Sequence, residues 1–189
     1  MPLGGATGAV LKRSLASLKD LIDRAVSEVR TIGALEPQVF ALDVFIAEAE
    51  SAARMEAAVA GCRLLVPAVD PVLALSGNRA LLQAALGNLL QNAFKFTREH
   101  TEIRLDARLL GAHVLIEVTD CCGGLAPGSI ERMFRPFAQR SENRIGLGLG
   151  LGLSIARQTI EADSGTLSVR DLPGVGCVFT ISLPARTVQ

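Results

Sequence analysis

The sequence predicts an α+β fold, and three observations predict it. Ile103, Leu105 and Ala107 alternate with Arg104, Asp106 and Arg108, and Val114, Ile116 and Val118 alternate with Leu115, Glu117 and Thr119. That period of two marks a pair of half-buried strands joined at Gly111-Ala112. Three other stretches, Val44–Ala60, Asn78–Thr97 and Leu151–Ala162, read as helices, and Leu82, Leu86, Leu89, Leu90 and Ala93 form a core-facing stripe on the second. A last hairpin, Gly165–Asp171 and Gly176–Leu183, turns at Pro173-Gly174.

Taken in order, the chain opens on a Gly-rich segment, Met1–Ala6. A helix is expected from Thr7 to Arg30. Leu11, Leu15, Leu18, Ile22, Ala25 and Val29 follow a 4-3-4-3-4 spacing, a narrow heptad seam. Such a seam suits one arm of a helical bundle shared with a partner chain better than a helix packed on its own domain. Gly33–Pro37 reads as a linker, which divides the chain into residues 1–36 and 37–189. Val39–Leu42 is expected to be a short strand, Cys62–Val69 an apolar one and Val72–Leu75 another, with a turn at Asp70-Pro71. Ser76 or Asn78 caps the helix that follows. Pro127–Met133 reads as a short helix, ahead of Phe134-Arg135-Pro136-Phe137 and a polar run, Ala138–Arg144.

Composition excludes several classes. The 189 residues are 49% hydrophobic and 20% charged, which is globular and not disordered. Nineteen basic residues balance nineteen acidic ones, whereas a nucleic-acid binder carries a basic excess, so no nucleic-acid partner is expected. Trp and Tyr are absent and only seven Phe are present, so no aromatic stacking platform is expected. Cys62, Cys121, Cys122 and Cys177 make no C-x-x-C pair, and they read as reduced thiols in a cytoplasmic compartment. No segment resembles a signal peptide, and no apolar run reaches membrane-spanning length.

The helix Asn78–Thr97 also carries chemistry. Asn88, Asn92 and Lys95 stand at i, i+4 and i+7, on the side away from the leucine stripe. An amide oxygen can ligate a hard cation, and an ammonium is a point charge for phosphate. Phe96 adds a flat apolar surface beside them. Further on, a strand ends in Asp120 and runs into Cys121-Cys122-Gly123-Gly124-Leu125, a carboxylate at a strand end followed by glycines. An ordinary polar helix back and an ordinary Asp-Gly turn are the plain alternatives for these two motifs.

Four landmarks thus stand in fixed order. They are Asn88-x-x-x-Asn92-Ala-x-Lys95-Phe96, Asp120-x-x-Gly123-Gly124, Phe134-x-Pro136-Phe137 and Gly148-x-Gly150-x-Gly152. From Val39 to Pro184 the chain resembles the ATP-binding catalytic domain of bacterial sensor histidine kinases. That domain belongs to the wider GHKL group with DNA gyrase, a mismatch-repair ATPase and a heat-shock chaperone. The landmarks correspond to its N box, first glycine box, F box and second glycine box. The resemblance implies the Bergerat fold, a two-layer α/β sandwich whose mixed sheet is covered by helices on one face, here preceded by one long helix. Residues 1–36 then resemble the second helix of the dimerisation domain. The first helix, which would carry the acceptor histidine, is not present, so the chain is expected to be a fragment. Neither His100 nor His113 is followed by an acidic residue.

The resemblance also implies roles. Asn92 would coordinate Mg²⁺, and Asn88 and Lys95 would approach the triphosphate of ATP and serve as catalytic residues. Asp120 would accept a hydrogen bond from the adenine amino group, Phe96 would pack near the base, and Gly124 would let the backbone come close to the ring. Leu125, Phe137 and Leu153 complete the expected nucleotide site. Gly148, Gly150 and Gly152 would bring backbone N–H groups and a helix N-terminus to the phosphates. Residues 138–148 would form a lid. ATPases of this fold carry Glu where Asn88 stands, and an amide has no useful basicity toward water. Asn88 therefore favours transfer of the γ-phosphoryl group to a nucleophile held by another domain. The implied partners are ATP or ADP, the kinase's own dimerisation domain in a homodimeric parent, and a response-regulator receiver domain. This chain is expected in the cytoplasm, and the parent kinase can be anchored in a membrane. Two departures stand out: Cys122 occupies a glycine position of the first box, and the second box has an extra Gly-Leu pair. The alternatives are a non-catalytic nucleotide-binding module and a serine protein kinase of the same group. The heptad helix argues against the serine kinase.

Overall fold

The computed structural model describes residues 37–136 and 151–187. The expected helix Thr7–Arg30, the expected lid, and Phe137, Gly148 and Gly150 lie outside these residues. The described elements are β1 (Gln38–Ala41), α1 (Leu42–Val59), β2 (Arg63–Leu65), β3 (Leu73–Gly77) and α2 (Arg79–Phe96). Then come β4 (Glu102–Leu110), β5 (His113–Asp120), α3 (Ile130–Met133), α4 (Gly152–Ala162), β6 (Thr166–Leu172), β7 (Gly176–Pro184) and β8 (Arg186–Thr187).

Among the described residues the strands form two sheets. The larger has the order β2-β4-β5-β7-β6, and the smaller the order β1-β3-β8. The larger sheet is mixed: β2 runs parallel to β4, and every other neighbouring pair is antiparallel. Both hairpins expected from the sequence are present, with Leu110 opposite His113 at one turn and Leu172 opposite Gly176 at the other. Pairing of β5 with β7, from His113↔Pro184 to Asp120↔Cys177, joins the two hairpins into one surface.

One face of that surface is buried. Ile103 and Leu105 of β4, Val114, Ile116 and Val118 of β5, and Phe179, Ile181 and Leu183 of β7 share a core with the helices. Phe45, Ile46 and Ala49 enter it from α1, Leu82, Leu86, Leu89, Leu90 and Ala93 from α2, and Ala156 and Ile160 from α4. Each helix sets its apolar residues on one stripe, and the sheet offers every second residue, so two layers close one core. Asn78 is the N-cap of α2, its side-chain oxygen accepting from Leu81 N at 3.1 Å. A cap of this kind stabilises a helix by about 1 kcal/mol.

The differences from the sequence reading have local causes. The expected strand Cys62–Val69 shrinks to Arg63–Leu65, because Pro67 has no N–H to offer a ladder. The chain then turns at Asp70, whose Oδ1 accepts from Val72 N at 3.0 Å. Leu42 belongs to α1 rather than to the first strand, and only Ile130–Met133 of the expected Pro127–Met133 helix is helical. Strand β8 was not foreseen, since its two residues carry no pattern of their own and pair only with Leu73 and Ala74 of β3.

Candidate functional site

The polar row on α2 stands where the sequence predicts, away from the leucine stripe. Asn88 and Asn92 are half-buried and Lys95 is exposed. Asn92 Nδ2 donates to the backbone oxygen of Asn88 at 2.8 Å. A carbonyl cannot donate to a carbonyl, so this bond orients the Asn92 amide and turns its Oδ1 away from the helix backbone. Gly152, the first residue of α4, lies against the same row. A Cβ at Gly152 would come to 3.5 Å from Asn88 Oδ1. The first turn of α4 carries backbone N–H groups with no intrahelical acceptor, at the positive end of the helix dipole. Packing α4 on α2 therefore brings the Asn88 amide and an anion-favouring helix end together, with Asn92 one turn further along α2. Lys95 Nζ sits 5.3 Å from the centre of the Phe96 ring, a cation–π contact at the end of the row.

Asp120 is built differently. It is the last member of the series Val114, Ile116, Val118, Asp120, so the strand's period of two sets its carboxylate on the buried face. It is 3% exposed. Oδ1 accepts from Cys122 N and from Cys177 N, both at 3.0 Å. Those two bonds offset the burial of a charged group. The approach of β7 depends on Gly176, where a Cβ would fall 1.8 Å from the Asp120 backbone oxygen. Thr97, at the C-terminal end of α2, ties the two motifs together. Its hydroxyl accepts from Cys121 N at 3.2 Å and lies 2.9 Å from the Thr101 hydroxyl.

The first glycine box has its left-handed residues at Gly123 (φ 90°) and Gly124 (φ 94°). Cys122 is not in that region, so Cys in place of Gly there costs no backbone strain. Gly124 is favoured by the protein itself, because its φ of 94° suits glycine and a Cβ would lie tightly, 3.1 Å from Asp171 Oδ1 and 3.2 Å from Gly174 N. The loop is pinned to the β6–β7 turn by Gly123 N donating to Val175 O at 3.0 Å and Leu125 N donating to Asp171 Oδ1 at 2.8 Å. Leu125 and Leu153 are partly buried against the core. Burial pushes the thiols of Cys122 and Cys177 above the ordinary cysteine range.

The structure thus gathers Asn88, Asn92 and Gly152 at one junction, and Asp120, Gly124 and Leu125 at another, with Thr97 between α2 and the glycine loop. Sequence reasoning missed Thr97, Arg98, Asp171, Gly176 and Cys177. Arg98 stands against the glycine loop, where a Cβ on Gly123 would come within 2.5 Å of its guanidinium. Only Gly176 left a signal, a glycine at the head of a strand, which marks close backbone approach.

Comparison with known proteins bears on the family and the fold. The family model described as histidine kinase-, DNA gyrase B- and HSP90-like ATPase matches residues 77–187. The sensor-like histidine kinase SenX3 of Mycobacterium tuberculosis H37Rv is 32% identical over 172 residues, covering 89% of this chain and 42% of that protein. The sensor protein TorS of Escherichia coli K12 is 39% identical over 117 residues, covering 62% of this chain and 12% of that protein. This chain therefore spans less than half the length of either relative. The catalytic domain of the histidine kinase ThkA superposes with a TM-score of 0.70 at 24% identity, covering 79% of this chain and 96% of that one. Full-length ShkA in complex with AMPPNP superposes with a TM-score of 0.70 at 24% identity, covering 94% of this chain and 39% of that one. These structures share the fold, a mixed sheet with helices. With a match over residues 77–187 that spans all four landmarks and most of the described body, this chain belongs to the histidine kinase-, DNA gyrase B- and HSP90-like ATPase family.

Proposed function

We propose that this chain is the ATP-binding catalytic part of a two-component sensor histidine kinase, and that it transfers the γ-phosphoryl group of ATP to a histidine on a dimerisation domain. The observation that carries this reading is the junction of Asn88 with Gly152, which sets an amide, not a carboxylate, beside a helix N-terminus suited to phosphate. A carboxylate there could serve as a base toward water, whereas an amide cannot. Transfer then depends on holding the phosphates in line for an incoming imidazole.

In this reading Asp120 accepts from the adenine amino group, Phe96 and Leu125 flank the base, and Lys95 neutralises phosphate charge. Gly152 and Leu153 offer backbone N–H groups, with Phe137, Gly148 and Gly150 completing the site. Asn92 Oδ1 fits a hard cation, since it is a neutral oxygen turned away from the helix backbone and Mg²⁺ takes few protein ligands beside phosphate oxygens and water, while Asn88 approaches the triphosphate. Bound there, Mg²⁺ would supply charge neutralisation at the β- and γ-phosphates. Residues 1–36 are assigned to a partial dimerisation domain and 37–189 to the catalytic domain. The parent protein is a homodimer that passes its phosphoryl group to a receiver domain.

The test is incubation with radiolabelled ATP, alone and with a separately supplied dimerisation domain carrying its acceptor histidine. Acid-labile label on the supplied domain only is expected. Acid-labile label on this chain by itself would show that it carries an acceptor histidine of its own, His100 or His113, and would overturn the reading. ATP binding without label on either protein would establish the non-catalytic module instead.

A further inference from the structure

We propose that Cys122 and Cys177 are the site of a reversible intramolecular disulfide that closes the base end of the nucleotide site. The two sulfurs lie 3.3 Å apart. They come from segments 55 positions apart in the chain, one in the glycine loop and one in β7. Both residues donate their backbone N–H to the same oxygen, Asp120 Oδ1, at 3.0 Å each. One carboxylate oxygen therefore holds the two cysteines face to face.

A disulfide needs a sulfur separation of about 2.05 Å, so the sulfurs must close by roughly 1.3 Å. The two sides differ in freedom. Cys177 is buried in β7, hydrogen-bonded on both edges to β5 and β6. Cys122 is half-buried in a loop without regular structure. Closure is therefore a movement of the loop toward the sheet, with Cys122 the less buried of the two residues.

The oxidant is a peroxide. Cys122, as thiolate, attacks the O–O bond to give a sulfenic acid and release water. The Cys177 sulfur then displaces that hydroxyl, forming the S–S bond and releasing a second water. Two thiols and one hydrogen peroxide become one disulfide and two waters. A dithiol reductant reverses it. Because burial raises both thiols, the reaction is expected to run faster as pH rises from neutral.

The consequence for ligand binding rests on the proposed role of Asp120 in reading adenine; the disulfide itself does not. Drawing Cys122 toward β7 shifts the loop that donates to Asp120 and to Val175. A carboxylate that has lost one of its positioning bonds presents its other oxygen less well, and ADP affinity is expected to fall about ten-fold or more.

The experiment treats the full chain with hydrogen peroxide, counts free thiols, maps the bridged peptide by mass spectrometry, and measures ADP affinity by calorimetry before and after. Loss of two thiols, a Cys122–Cys177 peptide, weakened ADP binding and recovery with dithiothreitol are expected. Cys122→Ser and Cys177→Ala should each lose the bridge and the peroxide effect on ADP. Retention of all four thiols, or pairing of other cysteines, overturns the proposal. So does a bridge that leaves ADP affinity unchanged. If the reduced chain does not bind ADP at all, the ATP reading fails, while the thiol count and the peptide map still decide the disulfide.

Discussion

At the scale of the residue, Asp120 shows how a fold directs a substitution. Oδ1 is held by Cys122 N and Cys177 N. In Asp120→Asn the amide oxygen must keep that place, so the NH₂ group takes the position of the second oxygen. In the proposed pose a donor would then meet the adenine amino donor. ADP affinity is expected to fall by about 1–3 kcal/mol in calorimetry; unchanged affinity would remove Asp120 from the base site. Asn92→Ala loses one hydrogen bond to Asn88 O, a loss of about 0.5–1.5 kcal/mol in stability, which leaves the fold intact. The Mg²⁺ dependence of ATP binding is expected to disappear in that variant; an unaltered dependence contradicts the ligand role. Ser164 concerns stability alone. It has φ 61°, and it follows the C-cap Asp163 of α4 in a motif where Ser164 N donates to Glu161 O and Gly165 N to Ile160 O. That position favours glycine. Ser164→Gly is expected to stabilise the chain by about 0.5–1 kcal/mol, read from the urea midpoint, because relief of left-handed strain exceeds the added chain entropy.

At the scale of the element, the junction of α2 with α4 decides how the site is assembled. The start of α4 meets the middle of α2 through Gly152 and Asn88, while the end of α4 meets the start of α2 through Asp163. Asp163 Oδ2 accepts from Asn78 N at 3.1 Å, and Gly77 leaves room for it. Burial raises the Asp163 carboxyl above the ordinary aspartate range, against a smaller lowering by the bond from Asn78. The native state thus holds this proton more tightly than the unfolded chain. Its contribution to stability is fully present below about pH 3.9 and is lost as pH rises through the raised native value. Asp163→Asn keeps an acceptor for Asn78 N and cannot ionise. Relative to the parent, it is expected to gain stability between about pH 4 and pH 7, measured by denaturant midpoints across that range. Parallel profiles for the two proteins would show that the carboxyl titrates alike in both states.

At the scale of the whole molecule, the proposed site is shared between layers that meet only in the folded state. Asn88 and Asn92 come from a helix, Asp120 from a central strand, and the glycine loop is pinned to the β6–β7 turn. A ligand that bridges them binds the native state and not the unfolded chain. Saturating Mg²⁺-ATP at about one hundred times its dissociation constant is expected to stabilise the chain by about 2.7 kcal/mol. For a domain of this size that corresponds to a rise of roughly 5–10 °C in melting temperature, seen by calorimetry. GTP at equal concentration is expected to produce a smaller shift, since in the proposed pose its carbonyl oxygen would face the Asp120 carboxylate. Equal shifts would argue against adenine specificity.

Period and spacing in the sequence were enough for much of this. Alternation in 103–118 determined the β4–β5 hairpin, the leucine stripe determined the buried side of α2, and the row Asn88, Asn92, Lys95 followed from the same helical period. These are local properties, because side-chain direction repeats every two residues in a strand and about every 3.6 in a helix. The ends of weak elements were not legible. Strand β8 exists because β3 has an edge for it, and Pro67 cuts β2 short. Long-range partners were not legible either. Nothing near position 177 announces that its N–H and sulfur face Asp120 and Cys122 across the β5–β7 pairing. Nothing near Gly176 states that a Cβ would strike the Asp120 backbone. A sequence determines which face of an element is apolar. Only tertiary packing decides which residues from distant segments share a carboxylate, because that depends on strand order and register, and the pairing of two strands is a property of neither one alone.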